Sequence, residues 1–384
     1  MTISRGHAFS PPFSPPFRAD VVGSLLRPAA IKDARAALRE GRIDQAELTR
    51  IEDAAVREAV TLQEAVGLKV ATDGEMRRGT YSENFTTSGL HGVSSEHTGT
   101  GRWTYSDGKG GTRNAREIRV VDRIRWSGGS GNVEAFRFLA GAVKTAMPKI
   151  TLPGPCYMYQ RAGREGISRD AYPNIEQFWA DLAVAYHEEL AALRAAGCRY
   201  VQLDDTAMAK LGDPKIQSAL GERGDDWQRL LGVYSDAINA VVAGAPDDMT
   251  IALHLCRGNQ AGHWQAEGGY DPVAEYLFRR VNVATYFLEF DSPRAGTFAP
   301  LAALPDDKVV VLGLVSTKVG TLEAANQIEE RVREAAKLVP MERLCLSAQC
   351  GFASSVTGNP LSEAEQRAKL ERIVGVAAKM WGDA

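Results

Sequence analysis

His254 and Cys256 stand two positions apart at the end of an apolar run, MTIALHLC (249–256). Side chains two apart on a strand point the same way, so an imidazole and a thiol face one point there. Zinc is bound by such nitrogen and sulfur donors. A His-x-Cys pair alone is a weak signal, because buried cysteines and hydrogen-bonded histidines are common. Two further donors strengthen it. Glu289 closes the next apolar run, VNVATYFLEFD (281–291), and Cys350 closes the last, RLCLSAQCG (343–351). A Cys2HisGlu set would make a zinc shell, and displacing one ligand would open a place for substrate. The alternatives are a solvated loop carboxylate for Glu289 and a small buried residue for Cys350.

Donors this far apart in sequence need a scaffold that brings strand ends together. Besides these three, β-type runs occur at 19–24 (ADVVGS), 68–75 (LKVATDGE), 149–155 (KITLPGP), 200–205 (YVQLDD) and 307–316 (DKVVVLGLVS). Helical patterns separate them. A charged, Ala/Leu-rich stretch spans about 30–65. Apolar residues recur at helical spacing from Ile175 to Leu193, with Asn174 and Gln177 resembling a capping box and Gly197 as the stop. Ser362 and Glu365 open a last helix that runs to Trp381. Eight strands alternating with helices, their polar residues gathered where strands end, predict an α/β fold of the (β/α)8 TIM-barrel type. A doubly wound sheet is the competing architecture, but no GxGxxG follows a strand.

Two segments break the rhythm. Residues 1–17 include FSPPFSPPF, which predicts an extended, Pro-rich arm. Residues 86–133 are rich in Gly, Ser, Thr and Arg. There, β-like pieces at 101–106 and 117–126 flank DGKGG and predict a β-hairpin inserted after the second strand. It would serve packing or a homodimer contact, or else cover the barrel mouth. The remainder, 18–384, reads as one catalytic barrel domain.

Composition narrows the function. A formal net charge of −3 lacks the basic excess of a nucleic-acid-binding protein. No apolar run is long enough for a membrane span, and the first residues have no secretory pattern. A cytoplasmic location is expected. Five cysteines, an odd and sparse set, do not make a disulfide framework.

The motifs VGSLLRP (22–28), DGEMRRG (73–79), LPGP (152–155), QLDD (202–205), HLC (254–256), LEFD (288–291) and AQCGFASSVTGN (348–359) occur in an order and placement that resembles the catalytic half of cobalamin-independent methionine synthase. The short, single-barrel homocysteine methyltransferase-like relatives are more similar still. The resemblance runs from about residue 18 to 383. It implies a (β/α)8 barrel in which zinc, held by His254, Cys256, Glu289 and Cys350, binds the thiolate of homocysteine. It further implies that Asp204 and Glu75 hold the substrate ammonium group and that Gly23 and Ser24 hold its carboxylate. Methyl transfer to that thiol, giving methionine, is the implied reaction, with a methyl-folate or methylcobalamin as donor.

The chain also departs from the family. Arg161 stands where the synthases have a Trp that packs on the folate pterin. Val315-Ser316-Thr317-Lys318 replaces a His-Ser-Pro motif whose His helps protonate the leaving group. Val21 stands where many short relatives have His. Lys318 or Tyr157 is the candidate replacement acid. Competing functions are a zinc-thiolate alkyl transferase acting on another thiol such as coenzyme M, and a zinc-binding, non-catalytic relative. A uroporphyrinogen-type decarboxylase would need no such ligand set.

Overall fold

The computed structural model describes residues 15–94, 103–115 and 117–382. Most of the predicted arm, 1–14, lies outside them; Phe17 at its end is buried. The strands are β1 (Val70–Ala71), β2 (Leu90–Ser94), β3 (Thr104–Ser106), β4 (Thr112–Asn114), β5 (Arg119–Trp126), β6 (Met147–Pro148), β7 (Ile150–Pro153), β8 (Tyr200–Asp204), β9 (Thr250–Leu255), β10 (Thr285–Glu289), β11 (Val309–Val315) and β12 (Leu344–Ala348). The helices are α1 (Ala29–Arg39), α2 (Gln45–Ala65), α3 (Asn132–Ala142), α4 (Cys156–Ala162), α5 (Ile175–Ala195), α6 (Ala207–Lys210), α7 (Pro214–Glu222), α8 (Trp227–Ala243), α9 (Ala325–Ala335) and α10 (Glu363–Trp381).

Strands β7 to β12 form one six-stranded parallel sheet in sequence order. Helices follow most of these strands, and β8, β10 and β12, and even VVVLGLV in β11, are buried at every position, so both faces of the sheet are covered. The sheet's two ends turn toward each other. At one end, Asp20 N donates to Leu346 O (3.0 Å) and Leu346 N to Arg18 O (2.9 Å). At the other, β6 pairs in parallel with β1 and leads directly into β7. Between them, Leu25 N donates to Gly74 O (3.1 Å) and Thr72 Oγ1 to Gly23 O (2.6 Å). The result is a TIM-barrel-like α/β fold.

The predicted first strand, 19–24, makes a single bridge, Ala19 with Leu346. Side chains satisfy its carbonyls where a neighbouring strand would have done so. Lys149 Nζ donates to Val21 O (2.5 Å) and Gln202 Nε2 to Val22 O (2.7 Å). The helical stretch at 30–65 is two helices, broken where Gly41 takes a positive φ (69°) and Asp44 caps α2 by accepting from Glu47 N (2.9 Å). Asn174 caps α5 through Glu176 N (3.0 Å). Ser362 and Glu365 form a full capping box on α10.

The insertion differs from its predicted pairing. The strand at 119–126 does not pair with 104–106. It pairs antiparallel with β2, while β3 pairs with β4 across Asp107–Gly111. The turn decides this: Asp107 Oδ1 accepts from Lys109 N (2.7 Å) and Gly111 N (2.9 Å), which returns the chain at once onto β3. The β3–β4 hairpin docks on the loop after β9, where Ser106 and Trp264 exchange backbone bonds of 2.6 and 2.7 Å.

Candidate metal and substrate site

The barrel's strand ends carry the polar residues. His254 is the penultimate residue of β9, and Cys256 lies just beyond the strand. The ligand atoms of His254, Cys256 and Cys350 all lie within 4.8 Å of one another, and all three residues are buried. The Cys256 and Cys350 sulfurs are 3.9 Å apart. Neither ring nitrogen of His254 has a hydrogen-bond partner, although the ring is buried. A buried imidazole unpaired at both nitrogens costs stability unless something else binds it. Two thiols and an imidazole converging in this way fit a zinc ion.

The electrostatics agree with metal-ready donors. The Cys256 thiol is held well below its ordinary value, first by the Cys350 thiol beside it and also by His254, against the opposing effect of burial. The Cys350 thiol is pushed up, because its neighbour takes the negative charge first. Cys156, Cys198 and Cys345 are buried elsewhere, with burial pushing each thiol up.

Glu289 is outside this three-residue group. Its carboxylate is held by cations. Lys318 Nζ donates to Oε1 (2.9 Å), Arg294 Nη2 also donates to Oε1, and Arg257 donates its backbone N–H to Oε2 (2.6 Å). Burial opposes its charge, yet Lys318, Arg294 and Arg257 keep the carboxyl well below the usual range. Tyr270 sets its position: its hydroxyl donates to Leu255 O (2.8 Å) and accepts from Glu289 N (2.9 Å), tying the end of β9 to the end of β10.

Lys318, the candidate acid, is therefore an ion-pair residue. Burial lowers its affinity for a proton, but Glu289 and Asp291 outweigh burial and raise it. An ammonium clamped by carboxylates releases its proton reluctantly.

The residues expected around the amino-acid part do converge. Asp204 ends β8, and its Oδ1 accepts from Gln202 Nε2 (2.6 Å). Burial pushes its carboxyl up to about 7, opposed by His254 and helped by Glu75. Asp205, the second acid of the pair, turns away and is structural, accepting from Cys156 N (3.3 Å) and Ala207 N (2.9 Å). Glu75 sits in the left-handed region (φ 57°), uncommon outside glycine. Its Oε1 accepts from Thr151 Oγ1 (3.0 Å), while the buried Oε2 has no hydrogen-bond partner; Arg78 Nη1 lies 3.8 Å from Oε1 and Arg27 Nη2 3.7 Å from Oε2, too far for hydrogen bonds but close enough to pair. A Cβ at Gly23 would come within 2.8 Å of Thr151 Cγ2 and 3.2 Å of Glu75 Oε1, so the backbone approaches these groups closely. Ser24 Oγ accepts from Ala353 N (3.3 Å), in the loop that carries Cys350.

Sequence reasoning did not single out Arg257, Arg294, Asp291 or the net centred on Thr317. Thr317 N donates to Gln349 Oε1 (2.7 Å), Asn259 Nδ2 donates to Thr317 Oγ1 (3.0 Å), and Thr317 Oγ1 donates to Gly351 O (3.0 Å). This net ties together the loops after β9, β11 and β12. The one available signal was the polar cluster following each of those runs.

A family model described as the catalytic domain of cobalamin-independent synthase matches residues 17–379. The chain belongs to this family. Among curated proteins it is 37% identical to the uncharacterized protein YxjH of Bacillus subtilis, with 95% of each chain covered. It is 27% identical to a 5-methyltetrahydropteroyltriglutamate–homocysteine methyltransferase of Mycolicibacterium paratuberculosis, matching 94% of this chain but 43% of that protein. A solved structure from Listeria monocytogenes, assigned as a vitamin-B12 independent methionine synthase, has 33% identity and a TM-score of 0.73, covering 96% of this chain and 99% of that one. The family's independence of cobalamin leaves methylcobalamin without support as methyl donor. No helix among the described residues is long and apolar enough to cross a membrane.

Proposed function

We propose that this protein is a zinc-dependent methyltransferase that alkylates a thiol, homocysteine being the expected substrate and methionine the product. The observation that carries this reading is the convergence of His254, Cys256 and Cys350, with His254 unpaired at both nitrogens. These three residues would hold the metal. Glu289 is the fourth candidate, available once one of its cations lets go. Zinc would supply a thiolate at neutral pH, where a free thiol of pKa ~8.5 is mostly protonated.

The chain's own groups orient the substrate. Glu75 Oε2, a buried acceptor that lacks a hydrogen bond and has Arg27 Nη2 at 3.7 Å, suits an ammonium group as well. Glu75 helps to push the Asp204 carboxyl up, and an ammonium between the two side chains would offset that effect. Gly23, beside Glu75, and Ser24, against the Cys350 loop, would receive the carboxylate. In the transfer, the sulfur's electron pair forms the new S–C bond as the bond from the methyl carbon to the donor breaks. That second pair leaves with the donor. A folate nitrogen leaving group needs a proton, and Lys318 is poorly suited to give it. Tyr157, buried against Tyr81, is the remaining candidate.

The test is single-turnover assay of purified, zinc-loaded protein with homocysteine and either 5-methyltetrahydropteroylglutamate or a methylsulfonium. Methionine from either donor supports the reading and identifies the donor. No methionine from both, with one zinc per chain retained, would mean another thiol or another alkyl donor.

A further inference from the structure

Two buried cations beside the site have no anionic partner among the described residues. Arg161 closes α4, the helix after β7, and Lys210 closes α6, the helix after β8. The two helices pack on each other, and α6 packs on β9, which carries His254. Arg161 is 6% exposed and Lys210 fully buried. Among the described residues, no carboxylate lies within salt-bridge distance of either. Arg161 Nη2 donates to Tyr105 OH (2.6 Å), but Nε and Nη1 are buried without any partner. Lys210 Nζ has only neutral acceptors, Thr206 Oγ1 (3.0 Å) and Gln265 Oε1 (2.5 Å).

An unpaired buried guanidinium is costly, and a second cation nearby adds to the cost. The strain is visible at Lys210: burial first, then Arg161, drives its amine well below the ordinary lysine value, while Cys256 and Asp205 oppose. An arrangement of this kind is stable when an anion is part of it. The tyrosines around Arg161 do not supply one. Tyr105 offers its neutral hydroxyl, and Tyr157 its ring 5.5 Å from the guanidinium carbon, which favours a cation but leaves the N–H groups of Nε and Nη1 without a partner. Those N–H groups are the ones that bind carboxylate, sulfonate and phosphate oxygens.

We infer that Arg161 and Lys210 form a subsite for an oxyanion carried by the alkyl donor. The inference rests on the alkyl-transfer reading above, in which Glu75, Asp204 and Ser24 already account for the amino-acid thiol. The donor class that fits has its alkyl carbon within reach of the thiol and a carboxylate, sulfonate or phosphate on its leaving portion. Tyr105 lies on the β3–β4 hairpin, so its hydroxyl caps Nη2 from above and the hairpin must shift to admit the ligand.

The test is isothermal titration of the zinc-loaded protein with acetate, methanesulfonate and inorganic phosphate, each at fixed ionic strength with chloride as reference. One of them is expected to bind saturably, and the preferred one identifies the anion type. Arg161→Met and Lys210→Met should each weaken it at least tenfold, and Arg161→Lys should recover part of the loss. Zinc content and homocysteine affinity should be unchanged in all three variants. Cys256→Ser should lose zinc yet keep the anion, which separates failure of this inference from failure of the zinc reading. Saturable binding of none of the three anions would overturn the subsite. So would unchanged anion binding in Arg161→Met, or a homocysteine affinity that falls with it.

Discussion

At the scale of single residues, the site separates groups that would bind metal from groups that would bind substrate, and substitutions can tell them apart. Cys350→Ala removes one of three converging donors. Its zinc content, read by a chromogenic chelator after unfolding, should fall from one per chain to near zero, and activity with it. A metal-replete, active variant would remove Cys350 from the ligand set. Asp204→Asn keeps the shape and the Gln202 contact but deletes the charge. Zinc should stay, while homocysteine binding weakens by about 1.5–3 kcal/mol, the loss of a charge-assisted hydrogen bond. Loss of zinc in that variant would contradict the division of labour. His254 and Cys256 were readable from sequence because a spacing of two fixes a shared direction on a strand. Glu289 was readable as a strand-end acid. Its three cations were not, because Arg257, Arg294 and Lys318 come from separate loops that only the tertiary fold brings together.

At the scale of elements, the hairpin and the loop after β9 form one layer over the site. Gly258 lies between them at φ 90°, and a Cβ there would sit 2.9 Å from Tyr105 Cε1. Gly258→Ala therefore meets two obstacles, a backbone costing roughly 1–2 kcal/mol for a residue with a side chain and a clash that pushes Tyr105 away. The hairpin should loosen. Tryptic cleavage at its exposed Lys109 and Arg113 should speed up several-fold, KM should rise, and zinc should remain bound. A cleavage rate equal to that of the parent protein would show that the hairpin is not held through Gly258. The sequence announced the insertion and its turn residues, yet assigned the wrong partner to 119–126. Alternation marks a strand without naming its neighbour, and here the Asp107 side chain closes the turn locally and leaves 119–126 to β2. The stretch at 30–65 is helical as its composition suggests, but the break inside it was not legible: Gly41 and Asp44 are ordinary in composition, and only their backbone geometry marks the division into two helices.

At the scale of the molecule, the strands were legible because a parallel sheet covered on both faces demands long apolar runs, and the chain supplies them from β7 to β12. The interior also contains an ion pair that no periodicity reveals. Lys149 Nζ and Asp20 Oδ1 are 2.9 Å apart with neither side chain exposed. Asp20 also accepts from Tyr200 OH (2.9 Å), and Lys149 lies 4.1 Å from the centre of the Phe287 ring. The pair joins the first segment of the chain to β7, β8 and β10, where the ladder itself is thin. Lys149→Met keeps the volume but strands a buried carboxylate. It should lower stability by about 3–5 kcal/mol, read as a fall in the urea midpoint at unchanged slope. Asp20→Asn combined with Lys149→Met should recover a large part of that loss, because the uncompensated charge has gone. If the double variant is no more stable than Lys149→Met alone, the loss comes from packing, and the pair serves to fill space around the first segment with little part in joining it to the sheet.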